Sequence, residues 1–227
     1  MNIAVVLAGG VGHRMGADKP KQFLQLAGRQ VIEYSISTFD AHPGVDEVAV
    51  VVHPDYRADL QAIVERNNWP KLKKIIEGGS ERYLSTLSAI RAYADQPEAN
   101  LLLHDAARPL VSAEVVTRLI KALATNAAVA VVLPSVDTVF CVESGKIIDV
   151  PPRSSIMCAQ TPQAFRHKVI SQAYTLALKD PAFTATDDCG VLHHYLPEVP
   201  IAVVEGEPQN MKITHPADID ILSKYFQ

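Results

Sequence analysis

Ile3-Ala4-Val5-Val6-Leu7-Ala8-Gly9-Gly10-Val11-Gly12-His13-Arg14-Met15-Gly16, followed by Pro20-Lys21-Gln22, decides how this chain is read. The apolar run from Ile3 to Leu7 has the length and residue types of a buried strand. The four glycines behind it leave a backbone free of Cβ atoms, whose N–H groups can close on phosphate oxygens. Arg14 and Lys21 add positive charge at the same place. Glycines, a guanidinium and an ammonium at the C-terminal end of a first strand describe a site for a polyanion such as a nucleoside triphosphate. Two better-known spacings are absent. There is no Gly-x4-Gly-Lys-Ser/Thr, and the series Gly10-x-Gly12-x-x ends on Met15 where a dinucleotide fingerprint needs a third glycine. A tight strand-to-helix turn with incidental basic residues is the plainer alternative.

Outward from this loop, strand-like and helix-like segments alternate. Ile3–Leu7, Glu47–Val52, Lys74–Glu77, Leu101–His104 and Val129–Leu133 are short runs rich in Val, Ile and Leu. Helical spacing runs from Val31 to Phe39, from Tyr56 to Asn67 behind Asp55 as cap, from Arg82 to Tyr93, and from the cap Ser112 to Thr125. Such alternation predicts an α/β fold, a mainly parallel sheet with helices on both faces. Ligands of such sheets lie beyond the C-terminal strand ends, where both the glycine loop and His104-Asp105 fall. The rhythm changes after Pro134. Ser135–Val142 and Lys146–Val150 flank Glu143-Ser144-Gly145 as a hairpin, an excursion that suits a lid or a dimer contact. Beyond Arg153 come a helix from Arg166 to Leu178, another from Asp187 to Tyr195, a strand at Ile201–Glu205 and a last helix after Pro216. One domain over 1–227 with a projecting arm at 134–153 is the economical reading.

Composition narrows the function. A chain of 227 residues, 48% of them hydrophobic, can bury a large core. Its formal charge of −4 disfavours wholesale binding to nucleic acid or to an acidic membrane. No apolar run has the length of a membrane span, and the first strand starts too early for a signal peptide. The three cysteines, Cys141, Cys158 and Cys189, are odd in number and far apart, which suits neither a disulfide framework nor a zinc site. A cytoplasmic protein with reduced thiols follows. Cys158 and Cys189 are expected to have packing roles.

Further constellations could carry chemistry. His104-Asp105-Ala106-Ala107-Arg108-Pro109 follows three leucines, so Asp105 emerges at a strand end, where a carboxylate can hold Mg²⁺ beside phosphate oxygens. Arg108 can contact a second phosphate, or pair with Asp105 if that residue serves only as a turn former. In Gly78-Gly79-Ser80-Glu81-Arg82 with Ser85, paired glycines permit the approach of a flat base. The same residues also read as a plain helix start with Ser80 as cap. Arg153 stands with Gln160-Thr161-Pro162-Gln163. Thr186-Asp187-Asp188 and Asn210-Met211-Lys212-Ile213-Thr214 complete the set, with Thr186 and Thr214 reading as helix caps. Lys212, between a strand and a cap, has no structural use that the sequence shows. The histidines are scattered, and His193-His194 point to different helix faces, which makes a poor metal pair.

Taken together, these motifs resemble the pyrimidine-specific cytidylyltransferases that make CDP-linked polyols, above all the 2-C-methyl-D-erythritol 4-phosphate cytidylyltransferases of the non-mevalonate isoprenoid pathway. The resemblance runs from Ile3 to about Asp218 and rests on Arg14-Met15-Gly16, Pro20-Lys21-Gln22, His104 to Pro109, Thr161-Pro162-Gln163 and Asn210-x-Lys212-Ile213-Thr214. It implies a Rossmann-like nucleotidyltransferase fold, and CTP and a polyol phosphate as substrates. It assigns Leu7, Ala8, Gly9, Gly10 and Gly12, with Arg14, to the triphosphate. Lys21 and Lys212 match the pair at the α-phosphate. Gly79, Ser80 and Ser85 match the cytosine and ribose contacts. Asp105, with Ala106 beside it, matches the residue near Mg²⁺ or another divalent cation. Arg108, Thr138, Arg153, Thr161, Thr186 and Asp187 match positions around the polyol phosphate. Arg14, Lys21, Arg153 and Lys212 thereby become the catalytic cations. It also implies a homodimer in which the 134–153 arm reaches into the partner's site.

Two features lean toward the ribitol-5-phosphate cytidylyltransferases of surface-polymer synthesis: Leu7-Ala8-Gly9-Gly10 in place of Pro-Ala-Ala-Gly, and Val139-Phe140 after Asp137-Thr138. Ala107 and Ala159-Gln160 lean back toward the isoprenoid side. Two other readings compete. The glycine loop is similar to that of the guanylyltransferases of molybdenum-cofactor synthesis, which lack the Pro-Lys-Gln and Asp-Ala-Ala-Arg-Pro pieces. A non-catalytic nucleotide-binding protein on the same fold would have no use for Lys21, Lys212 and Asp105 together.

Overall fold

A computed structural model of the chain describes residues 1–10 and 19–226. Gly12 and Arg14, both assigned to the triphosphate, lie outside the described residues. In chain order the elements are β1 (Asn2–Ala8), β2 (Gln25–Leu26), β3 (Arg29–Gln30), α1 (Val31–Ala41), β4 (Glu47–Val52), α2 (Arg57–Glu65), β5 (Leu72–Glu77), α3 (Arg82–Ala92) and β6 (Asn100–Asp105). They continue with α4 (Ala113–Leu123), β7 (Ala128–Pro134), β8 (Cys141–Glu143), β9 (Lys146–Asp149), β10 (Met157–Arg166), α5 (His167–Ala177), α6 (Asp188–Tyr195), β11 (Ile201–Glu205) and α7 (Ala217–Ser223).

The main sheet has seven strands in the order β11-β7-β10-β6-β1-β4-β5. β10 runs antiparallel to both its neighbours, and the other pairings are parallel. The apolar runs are continuous because both faces are covered. Successive side chains of a strand point to opposite faces, so Ala4, Val6, Val48 and Val50 pack with Ile32, Ile36 and Phe39 of α1 and Val115 and Leu119 of α4. Ile3, Val5, Ala49 and Val51 pack on the other side with Leu87 and Ile90 of α3 and Ile170 and Tyr174 of α5. The α/β arrangement read from the alternation is therefore the one observed.

From β1 the chain winds outward through β4 to β5, then returns to β6 on the other side of β1. The strand order reverses between β1 and β6. Their C-terminal ends, Gly9-Gly10 and Asp105, diverge around the crevice such a reversal creates.

β10 carries no strand signal in the sequence, since Gln160-Thr161-Pro162-Gln163 lacks an apolar pattern and contains proline. Even so, it is central. Pro162 is accommodated where the pairing with β7 shifts register between Gln160 and Gln163, and the Thr161–Pro162 peptide is cis. A bulge removes the ladder hydrogen bond that proline cannot donate. In the arm, strand structure begins only at Cys141. The expected turn holds: Ser144 and Gly145 both have positive φ, at 50° and 76°, the twist that joins a tight hairpin.

Several expected caps are corrected. Ser112 caps α4, its Oγ accepting from the Val115 N–H at 3.1 Å. Asp55 does not cap α2, because a short 3-10 turn, Pro54–Tyr56, intervenes and Asp55 donates its own N–H to the His53 ring. Glu81, without a side-chain bond, occupies the position expected for Ser80. Asp187, not Thr186, caps α6 by accepting from the Gly190 N–H. Thr214 donates to the Lys212 carbonyl, and Asp218 satisfies the N–H groups of Thr214 and His215. Cys158 is exposed, so its expected packing role fails, whereas Cys189 is half-buried. Among the described residues, no helix is long and apolar enough to cross a membrane.

Candidate active site

The turns after β1 and β5 meet backbone to backbone. A Cβ on Gly9 would stand 2.2 Å from Ser85 Oγ and 3.2 Å from the Gly79 carbonyl oxygen. One on Gly78 would stand 3.2 Å from Gly9 Cα. Glycine is required there by space rather than by conformation. Ser85, in the first turn of α3, is 1% exposed, and its Oγ has no hydrogen-bond partner among the described residues. A buried hydroxyl is ordinarily hydrogen-bonded, so this one, set against two glycine turns, is a free polar group on the inner side of the turn. Gly79 lines the same turn and Ser80 is exposed on it. Gln22, buried at 3%, donates its Nε2 to the carbonyls of Ala8 and Gly10, each at 2.8 Å. This clamp on the glycine turn is absent from the site read in the sequence, although Gln22 belongs to the quoted Pro-Lys-Gln motif.

Asp105 ends β6 and is the electrostatic centre of the cleft. Its Oδ1 accepts from Arg82 Nε at 3.0 Å, its Oδ2 accepts from Lys212 Nζ at 2.8 Å, and Arg108 Nε lies 3.9 Å from Oδ2. Burial pushes the carboxyl up, but Arg82, Lys212 and Arg108 outweigh it and hold Asp105 well below the usual carboxylate range. Lys212 therefore has the structural partner that its sequence position concealed. Lys21 Nζ donates to the carbonyl of Ile213 at 2.7 Å, so it holds the segment that carries Lys212, and it is not among the residues that line the cavity beside Asp105. That segment is tied down by Asn210, which donates Nδ2 to the Thr161 carbonyl at 2.8 Å, and by Arg108, which donates to the Asn210 carbonyl at 2.8 Å. Arg82 lay in a quoted motif but was not counted among the site residues. Its guanidinium also lies 2.7 Å from Asp188 Oδ2.

His104, fully buried, fixes the turn that presents Asp105. Burial pushes its imidazole down to about 4, so the ring is neutral at pH 7. Its Nε2 lies 3.0 Å from the Arg108 carbonyl, which can only accept, so Nε2 carries the proton. Nδ1 then accepts from the Thr161 hydroxyl at 3.1 Å, and Thr161 Oγ1 accepts from the Asp105 N–H at 3.0 Å. The chain His104–Thr161–Asp105 locks the strand end. It also predicts a pH dependence. The folded pKa lies below the unfolded value, so the unfolded state binds more protons between the two. The stabilisation is full above about pH 6.5 and is lost as pH falls toward 4, by roughly 3 kcal/mol. Urea unfolding across that range should show this slope in the wild type and a flatter one in His104→Gln. Equal slopes would disprove the assignment.

A cavity of about 170 Å³ opens beside these groups, lined by Arg82, Asp105, Arg108, Thr161, Thr186, Asp187 and Lys212 among others. Gln163 sets its far wall. Its Nε2 donates to Asp187 Oδ2 at 2.6 Å, and its Oε1 accepts from the N–H groups of Asp188 and Cys189. Leu7 and Ala106 are buried and are not among the lining residues, and the Ala106 N–H donates to the Leu7 carbonyl at 3.0 Å. Thr138 and Arg153 are not among the lining residues; they sit on the exposed arm, where Arg153 donates to the Val136 carbonyl at 3.2 Å. The arm is apolar and uncovered: Val136, Phe140, Val142, Ile147, Ile148 and Val150 are all exposed. Among the described residues, no group of three or more His, Cys, Asp or Glu could hold a metal ion.

The profile of the family described as IspD, 2-C-methyl-D-erythritol 4-phosphate cytidylyltransferase, matches residues 2–227. The chain is 46% identical over 224 residues to the 2-C-methyl-D-erythritol 4-phosphate cytidylyltransferase of Thermobifida fusca, a match covering 96% of this chain and 90% of that protein. It is 39% identical over 229 residues to the bifunctional ribulose 5-phosphate reductase/CDP-ribitol pyrophosphorylase of Haemophilus influenzae, covering 100% of this chain and 48% of the longer one. Among solved structures, the 4-diphosphocytidyl-2C-methyl-D-erythritol synthase of Anaerococcus prevotii superposes with a TM-score of 0.88 at 31% identity, over 100% of this chain and 96% of that one. The 2-C-methyl-D-erythritol 4-phosphate cytidylyltransferase of Thermus thermophilus gives 0.75 at 31% identity, over 99% and 98%. With the family profile spanning residues 2–227 and a close relative matched over nearly its whole length, the chain belongs to the 2-C-methyl-D-erythritol 4-phosphate cytidylyltransferase family of nucleotidyltransferase enzymes.

Proposed function

We propose that this chain transfers the cytidylyl group of CTP to 2-C-methyl-D-erythritol 4-phosphate and releases pyrophosphate. The observation that carries this reading is the cluster of Lys212, Arg82 and Arg108 around the Asp105 carboxylate, with Lys21 Nζ bound to the carbonyl of Ile213, the residue next to Lys212. The acceptor phosphate is largely dianionic at neutral pH, its second pKa being about 6, so the reaction needs no general base. The obstacle is repulsion: two like unit charges 4 Å apart cost about 4 kcal/mol at an effective dielectric near 20. Lys21 and Lys212, with Arg14, offset it at the α-phosphate, where charge builds during displacement. The main chain around Gly9 and Gly79, with the Ser85 hydroxyl, receives the base. Arg108, Thr161, Thr186 and Asp187 receive the acceptor across the cavity.

Asp105 is a single carboxylate. It fits magnesium, or another divalent cation, that takes most of its ligands from phosphate and water. Such an ion would supply further charge neutralisation at the triphosphate, and Asp105 would hold it. A pyrophosphate-release assay with CTP tests the reading, with 2-C-methylerythritol 4-phosphate and ribitol 5-phosphate run side by side. Methylerythritol phosphate should be preferred by at least about 100-fold in kcat/KM. A preference for ribitol 5-phosphate, the reading that Leu7-Ala8-Gly9-Gly10, Val139-Phe140 and the Haemophilus relative favour, would replace the acceptor. No pyrophosphate from either would overturn the function.

The chain acts as one unit over 1–227 in the cytoplasm, and the 134–153 arm joins two copies. The run of exposed apolar side chains on that arm supports this reading, and so does the fact that Thr138 and Arg153 do not line the cavity of their own chain. In the dimer, Arg153 meets the acceptor phosphate. Arg153→Ala is expected to raise the acceptor KM about tenfold or more with kcat little changed, the scale of one charge-assisted contact. An unchanged acceptor KM in steady-state kinetics would refute the arm assignment, as would sedimentation of the wild type as a monomer.

A further inference from the structure

Arg82 touches neither of the lysines that the reaction uses, yet it links three of the segments assigned to the substrates. It opens α3, directly after the Gly78-Gly79-Ser80 turn that faces Gly9. Its Nε donates to Asp105 Oδ1 at 3.0 Å. Its other arm, NH1, lies 2.7 Å from Asp188 Oδ2, a carboxylate with no exposed surface. Asp188 is fixed in turn, since its Oδ1 accepts from the Tyr174 hydroxyl at 2.7 Å and its N–H donates to Gln163 Oε1 at 3.1 Å. The two residues before it, Thr186 and Asp187, line the cavity. One planar guanidinium thus spans the base turn, the Asp105 strand end and the loop on the far wall.

We propose that Arg82 is a positioning residue for cytidylyl transfer, holding the Thr186–Asp187 loop in register with Asp105 so that the acceptor phosphate lies in line with the α-phosphate. The inference rests on the proposed reaction. Its physical basis is the rigidity of the fork. A guanidinium presents donors in a fixed plane and can serve two carboxylates at once, whereas an ammonium is a point charge. A buried Asp–Arg–Asp triad adds little net stability over apolar packing. Kept whole, it therefore acts through geometry, and a misplacement of about 1 Å can cost around 100-fold in rate.

Three variants separate positioning from stability. Asp188→Asn cuts the far arm and keeps a polar side chain. Arg82→Lys keeps the charge and loses the fork. Tyr174→Phe removes a hydrogen bond from Asp188 but leaves Arg82 with both carboxylates. Wild-type turnover is measured first, so that failure of the reaction itself is seen before any variant is compared. Circular dichroism melts establish that each variant is folded at the assay temperature. Asp188→Asn is expected to raise the acceptor KM about tenfold with the CTP KM within about twofold. Arg82→Lys is expected to raise the acceptor KM similarly and to lower kcat about tenfold or more. Tyr174→Phe should leave both KM values and kcat near wild type. If Tyr174→Phe moves the acceptor KM as far as Asp188→Asn does, the triad only stabilises. If folded Asp188→Asn and Arg82→Lys both keep wild-type KM values and kcat, the proposal is wrong.

Discussion

Lys212→Ala is expected to lower kcat by about 100- to 1,000-fold, the scale of losing one oriented contact to charge that develops in the transition state. The fold should tolerate the change. The lysine is partly exposed, and its removal leaves Asp105 flanked by Arg82 and Arg108, so no buried charge is orphaned. A loss of at most about 1 kcal/mol of stability follows, as for other partly exposed ion pairs. The defect should therefore appear in turnover rather than in unfolding. Lys212→Arg should recover only part of it, because a planar fork does not replace a compact ammonium at one phosphate oxygen. Lys21→Ala should fall on a similar scale. The two losses should not add, because Lys21 Nζ holds the carbonyl of Ile213, the residue next to Lys212, and each change disturbs the other's segment. Steady-state kinetics decide the matter: a kcat near the wild-type value in folded Lys212→Ala would overturn the proposed transition-state role.

Arg82→Met should have the largest effect on stability. It leaves the fully buried Asp188 without its cationic partner, whereas Asp105 keeps Lys212 and Arg108. Breaking a buried pair from one side costs about 3–5 kcal/mol, because the remaining charge is neither hydrated nor neutralised. Urea unfolding at pH 7 measures it. In the double variant Arg82→Met with Asp188→Asn, the stranded charge is gone, and most of the loss should return. A loss under about 1 kcal/mol in the single variant, or no recovery in the double, would mean that water or another cation already satisfies the Asp188 carboxylate.

The two predictions differ in how far the sequence anticipates them. Lys212 stands out in the chain as a lysine with no local use, and only its partner was hidden. Arg82 gives no such signal. An arginine in the first turn of a helix is disfavoured by the helix dipole, and nothing near it in sequence explains it. β10 was missed for a related reason. Its central residues, Gln160, Thr161 and Gln163, are polar and buried, because they hold Glu207, His104 and Asp187 in place rather than forming an apolar face. Hydrophobic periodicity cannot register a strand whose side chains are used as hydrogen-bonding fixtures.

By itself, the chain's local chemistry determined the α/β class, the β4 and β11 strands to the residue, the hairpin turn at Ser144-Gly145 and the Ser112 cap. Each depends on neighbours within a few residues: a continuous apolar run, a small residue at positive φ, a hydroxyl three residues before an open N–H. Tertiary structure alone decided that Arg82 meets Asp105 across 23 residues, that Lys212 meets it across 107, and that a neutral His104 holds the strand end through Thr161, 57 residues away. Coulomb attraction and hydrogen bonding act over distance in space, and which distant groups become close depends on how the strands are ordered in the sheet.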